Sequence, residues 1–310
     1  MTTNIGISLI VFKNPEEVKD FILASQELLD FEPFFELSYH LDVDFLESLS
    51  FLKGRVLSAH APCPSQVYFP NLGSRDPQVV RESFEIIRKS AQTVSSFGGS
   101  NLVLHPGYTL DDAVYAEEAK RRRVMQSLGG VEESLVWIKE GSVCKPSYCE
   151  TQVYKTHLHE ATSNLQKAAL ICKEEGVQLC VENLNPRITY LFQLPEDLIN
   201  LTRKTEDLFI CLDIGHLWIS SLVYQFDFMG AIDNICRTGR VLMSHIHDNR
   251  STLTNTIYLA DEHDQIGNGN VPVEKALRFF KKRCLANCII ESNASPIENL
   301  KRILRMFLND

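Results

Sequence analysis

Eight short apolar runs recur along the chain, and they constrain its fold more than any other feature of the sequence. The runs are continuous rather than alternating with polar residues, which is typical of strands buried on both faces of a parallel sheet. The predicted strands are Ile5–Phe12, Phe34–Tyr39, Arg55–His60, Asn101–His105, Val177–Glu182, Leu208–Asp213, Arg240–His245 and Asn287–Glu291.

Amphipathic stretches with apolar residues at i, i+3 and i+4 separate the runs. They predict helices at Pro77–Ser96, Leu158–Glu175, Glu196–Thr205, Val273–Arg283 and Pro296–Phe307. An open doubly wound sheet usually carries a glycine-rich phosphate loop after its first strand, whereas this chain reads VFKNPEE there. We therefore predict an α/β fold, a (β/α)₈ TIM barrel that forms a single domain over residues 1–310.

One connection between predicted strands is much longer than the others. It spans 77 positions from His105 to Glu182, against 31 and 32 for the next two steps. The excess lies in about residues 109–150, which include three consecutive arginines (121–123) and Trp137. An insertion after strand four would lie over the barrel mouth, where it acts as a lid or specificity element. A solvated helical excursion is the alternative.

Composition excludes several classes of protein. Of the 310 residues, 44% are hydrophobic and 23% charged, which is ordinary for a globular protein and argues against disorder or a coiled coil. The formal net charge of −9 disfavours non-specific attraction to nucleic acid or to an anionic membrane. The sequence shows neither a signal peptide nor an apolar segment long enough to span a bilayer, so we expect a cytoplasmic location. Nine cysteines without a CxxC motif predict buried thiols in a reducing compartment.

The chemistry-bearing residues lie where the predicted strands end. Strand ends converge on one face of a barrel, so side chains at these positions should meet. A single His or Asp there is usually a loop cap, but several charges in one buried pocket are costly without a cation. Mixed imidazole and carboxylate ligands suit zinc, manganese or iron. The candidates are His60, His105, Glu182, Asp213, His245 and Glu291, with His216 three residues beyond Asp213.

The segment LADEHDQIGNGNVP adds two further candidates. Asp261 and His263 are two residues apart, and in an extended loop both point the same way and reach one ion. Gly267 and Gly269 allow a tight return into the last helices. A polar turn without a ligand is the alternative interpretation.

Taken in order, the motifs HAP, HPG, VEN, LDIGH, HxHDN, DxHxxxGxGN and IES resemble the AP endonuclease 2, or xylose isomerase-like, barrel superfamily over nearly the whole chain. They particularly resemble the endonuclease IV branch, whose nine ligands hold three zinc ions. By that resemblance one metal takes His60, His105 and Glu182, a second takes Glu182, Asp213, His245 and Glu291, and a third takes His216, Asp261 and His263.

Two departures from the endonuclease IV pattern concern its grip on DNA. The stretch VENLNPRITYLFQ lacks the glycines that follow VEN in that branch, and Cys63 stands where the branch has an aromatic residue. The aromatic residue would be a wedge for splaying bases. We therefore expect a small phosphorylated, nucleotide-like or sugar substrate, with DNA only weakly supported.

Two enzymatic functions use this ligand set. The first is a zinc-dependent phosphoester hydrolase, in which Glu182 bridges metals and Glu291 or Asp213 orients the attacking water. The alternative is a sugar or sugar-phosphate isomerase or epimerase, in which Glu182, Asp213, His245 and Glu291 hold one Mn²⁺ or Mg²⁺. Glu182 and Glu291 would then move a proton as base and acid. A non-catalytic barrel that keeps its metals as structure is a third class.

Four further features are candidates for substrate contact. Glu36 and His40, in and after the second predicted strand, either face the pocket or pack structurally. His247 is expected beside substrate or behind a metal ligand. Arg187 would contact an anionic substrate, and the arginines at 121–123 would recruit phosphate if they lie above the pocket; a solvated surface is the alternative for both.

Overall fold

The computed structural model describes residues 4–128, 134–136, 143–254, 257–283 and 287–308. Parallel strands close into an eight-stranded barrel in which every strand pairs with its neighbours in sequence. The TIM barrel predicted from the sequence is therefore confirmed. The strands are β1 (Asn4–Ser8), β2 (Phe34–Leu37), β3 (Val56–His60), β4 (Asn101–Leu104), β5 (Gln178–Glu182), β6 (Leu208–Asp213), β7 (Val241–Ile246) and β8 (Asn287–Ile290).

Helices surround the barrel. The predicted helices are all present, although α5 begins six residues earlier than its predicted start. The helices are α1 (Pro15–Leu29), α2 (Val43–Ser48), α3 (Pro77–Ser96), α4 (Glu118–Leu128), α5 (Gln152–Glu174), α6 (Pro195–Lys204), α7 (Ile214–Tyr224), α8 (Phe228–Cys236), α9 (Val273–Arg283) and α10 (Pro296–Leu308).

Two local differences from the predicted elements have clear physical causes. The first predicted strand stops at Ser8, because Leu9–Val11 form a 3₁₀ turn that carries the chain out of the sheet. Helix α7 gave no amphipathic signal, because most of its residues are apolar and its polar residues His216, Ser220 and Ser221 are buried as well. A helix buried all round lacks the 3.6-residue polar period on which the prediction relies.

The long connection after β4 carries additional structure before α5. Val114–Tyr115 pairs antiparallel with Tyr68–Phe69, and α4 follows directly. Ser134–Val136 then pairs antiparallel with Val143–Cys144. Trp137, predicted within the insertion, lies outside the described residues.

An apolar layer inside the barrel supports the strand ends. It consists of one residue from each of five strands, and each lies two positions before a predicted metal ligand. Because side chains alternate between the two faces of a strand, the ligand and the layer residue both face the barrel interior. The layer residues are Val103, Cys180, Cys211, Met243 and Ile289.

The described cysteines are free thiols, and all except Cys236 are buried. Cys284 lies outside the described residues. Among the described helices, none combines the length and apolar character that a membrane crossing requires.

Truncation of Phe35 should destabilise the barrel. Its ring is fully buried on β2 and meets Phe21 of α1 edge-on at 6.3 Å between centroids. We expect Phe35→Ala to lower the free energy of unfolding by about 3–5 kcal/mol, measured by chemical denaturation. Phe51→Ala, at a ring that is 38% exposed, is the matched control and should cost much less. Equal losses for the two variants would contradict this packing.

Candidate metal centre

The structure brings all nine predicted ligands together at the carboxyl ends of the strands. They form three groups, and within each group one ligand atom per residue lies within 4.8 Å of the others. Glu182 belongs to two groups, and His247 joins the third. The groups are His60, His105 and Glu182; Glu182, Asp213, His245 and Glu291; and His216, His247, Asp261 and His263.

Glu182 lies at the centre of the cluster. Its Oε2 is 3.2 Å from Nε2 of His60 and 3.2 Å from Nε2 of His105. Its Oε1 is 3.1 Å from Nδ1 of His245. Burial opposes ionisation of this carboxyl group, but the imidazoles, His245 foremost, hold its pKa well below the usual range. Each oxygen therefore faces a different ligand group, as a bridging carboxylate requires.

The second group is the most deeply buried. Its four side chains are at most 6% exposed, and three of them are carboxylates. Nδ1 of His245 is 3.1 Å from Oε2 of Glu291 and 3.9 Å from Oδ2 of Asp213. Burial alone would lower the pKa of His245, but neighbouring charges including Glu291 raise it well above its usual value. Three buried carboxylates around one imidazole are costly unless a cation is bound among them.

Asp213 organises the third group as well as the second. It ends β6 and caps α7, where its carboxylate accepts the His216 backbone N–H at 2.7 Å. Nε2 of His216 is then 3.0 Å from Oδ2 of Asp261, and Nε2 of His263 is 3.4 Å from the same oxygen. Burial lowers the pKa of His263, but Asp261 beside it raises the value to about 10.

His247 is packed beneath this third group rather than against the cavity. Its ring stacks on His263 at 3.9 Å between centroids, and its Nε2 is 3.1 Å from Oδ1 of Asp213. Gly215 makes this possible, because a Cβ at that position would overlap the His247 ring. Of the two places expected for His247, the structure shows the one beside the candidate metal ligands, and His247 is absent from the described residues that line the cavity.

A buried carboxylate holds the loop that carries Asp261 and His263. Asp248 is 1% exposed, and it accepts backbone N–H groups from Gly267 at 2.8 Å and Gly269 at 3.0 Å. Gly267 has φ +86°, and a Cβ on Gly269 would overlap Asp248 itself. The glycine pair therefore permits the tight return that the sequence predicts, with Asp248 as its anchor.

Glu36, which the sequence left between two interpretations, faces the barrel interior beneath His245. It is fully buried, and its Oε1 lies 3.1 Å from Nε2 of His245. Ser58 donates a hydrogen bond to its Oε2 at 2.8 Å. A carboxylate on the far ring nitrogen fixes the tautomer and orientation of a metal-binding histidine. Glu36 is therefore placed to position Nδ1 of His245.

A cavity of about 210 Å³ opens above the three groups. Arg187 lines it, together with Tyr39, Arg121 and Tyr190, whereas its contact with a substrate stays a prediction. The structure does not bring His40 to this cavity. The His40 side chain turns away into a separate surface groove, with its Nδ1 2.9 Å from Oγ of Ser38.

The donor set fits divalent metal ions. Imidazole nitrogens and carboxylate oxygens are ordinary ligands of zinc, manganese and iron. Several buried polar atoms of the cluster also lack a hydrogen-bond partner among the described residues, as atoms awaiting a ligand do. These atoms include Nδ1 of His105, Nδ1 of His247 and Oδ1 of Asp261.

Residues 46–308 match the xylose isomerase-like TIM barrel family, AP endonuclease 2. With its closed barrel and its metal-competent strand ends, the chain belongs to this family. The family likeness expected from the motif order is confirmed, whereas the three-zinc centre of endonuclease IV stays a prediction.

Solved structures with the same fold cover nearly the whole chain. A D-tagatose 3-epimerase-like protein is 18% identical with a TM-score of 0.68, covering 98% of this chain and 97% of its own. A 3-keto-D-glucoside 4-epimerase from E. coli is 14% identical with a TM-score of 0.63, covering 98% and 99%. An L-ribulose 3-epimerase is 16% identical with a TM-score of 0.62, covering 98% and 86%. At these identities the likeness establishes the fold.

A search of curated proteins returned no significant match.

Neutralising Glu36 should weaken metal binding without removing a ligand. We expect Glu36→Gln to lower the affinity for Zn²⁺ or Mn²⁺ by about 10–100-fold, because His245 loses the anion that orients it and raises its basicity. Competition with a chromophoric chelator measures this affinity. Glu32→Gln, at an exposed site on the chain leading into β2, is the matched control. Equal affinities for both variants would show that Glu36 does not act on the metal.

Proposed function

We propose that the protein is a divalent-metal-dependent isomerase or epimerase of a small sugar-like substrate. The observation that carries the proposal is the pair Glu182 and Glu291, both buried and both 3.1 Å from Nδ1 of His245. Two carboxylates on a common buried floor can remove a proton from one carbon and return it to the same or a neighbouring carbon. The shared fold with several sugar epimerases supports this over the phosphoester hydrolase that the ligand pattern suggests first.

Glu182, Asp213, His245 and Glu291 would hold one Mn²⁺ or Mg²⁺. The ion, when bound, would polarise the substrate carbonyl and so acidify the adjacent C–H bond. The chain's own part is to place the substrate carbons beside the two carboxylates. The two carboxylates themselves are deeply buried, at 1% and 4% exposed, which limits their contact with bulk water.

A second candidate, metal-dependent phosphoester hydrolysis, is favoured by one specific observation. Two of the ligand groups are not needed as metal sites by a one-metal isomerase. They are the group of His60, His105 and Glu182 and the group around Asp261 and His263. Oε2 of Glu182 also faces His60 and His105. A cation bound by His60 and His105 would engage Oε2 of Glu182, which is the oxygen that would take the proton in an isomerase. The hydrolase therefore requires a metal ion at this group, and the isomerase requires the group to be free of metal.

Proton transfer at carbon has a direct test. With the manganese-loaded protein and a panel of ketoses in D₂O, we expect deuterium to enter the substrate at the reacting carbon, detected by NMR. Glu291→Gln should lower the rate by about 10²–10⁴-fold, because it removes one acid–base group. Glu298→Gln, on the exposed face of α10, is the control and should retain wild-type exchange. Phosphoester cleavage without deuterium exchange would reject the proposal.

Variants of the other two ligand groups separate the candidate functions. Under the isomerase proposal, His60→Asn and His263→Asn keep one bound metal and lose no more than about 10–100-fold in turnover, as residues outside a metal's own ligands do. A hydrolase that uses all three groups would fall to background in both variants. Metal content by elemental analysis, together with ketose exchange and phosphodiester cleavage assays, distinguishes the outcomes.

A further inference from the structure

Three arginines line the same cavity as the acidic candidate ligands. Arg121 and Arg122 come from α4 in the long connection after β4, and Arg187 comes from the loop after β5. All three line the same cavity as His60 and Glu182. Cationic side chains that converge on a small pocket above carboxylates provide a place for an anionic part of a ligand.

Arg121 is the best placed of the three. Its Nη1 donates to the carbonyl oxygens of Tyr115 at 3.1 Å and Ala116 at 2.7 Å, and its guanidinium lies 4.9 Å above the Phe69 ring. The two carbonyl bonds use Nη1 alone. Within the described part of the chain, no carboxylate comes within 4.0 Å of this guanidinium. A half-buried cation without an anionic partner is costly, and a bound anion would remove that cost.

The neighbouring arginines show why Arg121 differs. Arg122 is paired with Glu118, which also lines the cavity and neutralises its charge. Arg123 is exposed and donates to the Ala119 carbonyl oxygen of its own helix. Of this arginine run, Arg121 is the member that two backbone carbonyls hold in place and that makes no ion pair within 4.0 Å among the described residues.

The site of Arg121 is coupled geometrically to the metal centre. Phe69 stacks on His105 at 5.5 Å between centroids and an interplanar angle of 27°, so a single ring separates the guanidinium from a metal ligand. Tyr39 meets both Phe69, at 5.3 Å, and His60, at 5.5 Å. Arg121 and the ligands line one cavity, so a substrate held at the metal by one end can extend its other end toward Arg121.

We propose that Arg121, supported by Arg187, binds a phosphate monoester on the part of the sugar that lies away from the metal. The inference rests on the proposed function for the sugar, and it narrows the substrate class to phosphorylated sugars. A guanidinium offers two parallel N–H donors to phosphate oxygens, which a lysine cannot match. The insertion thus contributes substrate selection rather than a ligand to the metal.

Matched probes test the site on the full-length, manganese-loaded protein. We expect D-fructose 6-phosphate to bind at least about tenfold more tightly than D-fructose by calorimetry, as a charge-assisted hydrogen bond provides. Arg121→Ala should abolish most of this preference, and Arg121→Lys should retain part of it. Arg123→Ala, two positions along the same helix, is the matched control and should keep the full preference.

The opposite results overturn the assignment. Equal binding of the two probes by the wild-type protein, or a preference that survives in Arg121→Ala, would place the phosphate elsewhere, for example on the metal itself. An equal Arg121-dependent gain for D-gluconate would contradict a site for phosphate. Metal content and melting temperature of each variant, compared with those of Arg123→Ala, check that the fold is intact. If the alanine variant does not fold, the lysine variant still tests the site.

The two proposals fail in different ways. A phosphate preference that depends on Arg121 in a protein without deuterium exchange would reject the isomerase and keep the anion site. Deuterium exchange on ketoses with no preference for their phosphate esters would keep the isomerase and reject the anion site.

Discussion

The burial of one carboxylate, Glu182, is the constraint on which the rest of the site depends. It is 1% exposed, and the nitrogen atoms of His60, His105, His216 and His245 lie within 3.6 Å of its oxygens. An ionised carboxylate in such a place costs several kcal/mol unless cations surround it. In the metal-free protein the neighbouring imidazoles hold the pKa of Glu182 well below its usual range, and metal ions would stabilise its charge when bound. The positions of these four histidines meet this requirement.

The barrel supplies that position through the alternation of side chains along its strands. Cys180 and Glu182 on β5, and Cys211 and Asp213 on β6, show the pattern: the first residue closes the apolar layer and the second rises above it. A shift of one residue in any strand would send the ligand outward among the helices. The register of Asp213 opposite His245 fixes neighbouring ligands at one level.

The sequence pointed to six of the nine predicted ligands because each of the six follows an apolar run directly, which is a local signal. The sequence could not decide whether Glu36 faces the pocket, because Glu36 lies inside a strand and its partner, His245, is 209 positions away. It preferred His40 for the substrate, whereas the adjacent Tyr39 lines the cavity, because a strand end alone does not show which of two neighbours turns inward. The sequence also could not show that Arg121 lines the cavity, because that depends on where the insertion packs.

The two oxygens of Glu182 explain how one ligand set can serve different chemistries. If His60 and His105 hold a cation, Oε2 is engaged and the carboxylate acts as a bridge. If they do not, Oε2 is available to accept a proton from carbon. The choice then rests on what the cavity admits, and α4 and the β5 loop supply part of its lining beyond the strand ends. Conserving the strand ends while changing the connections is how a TIM barrel alters its substrate without losing its metal site.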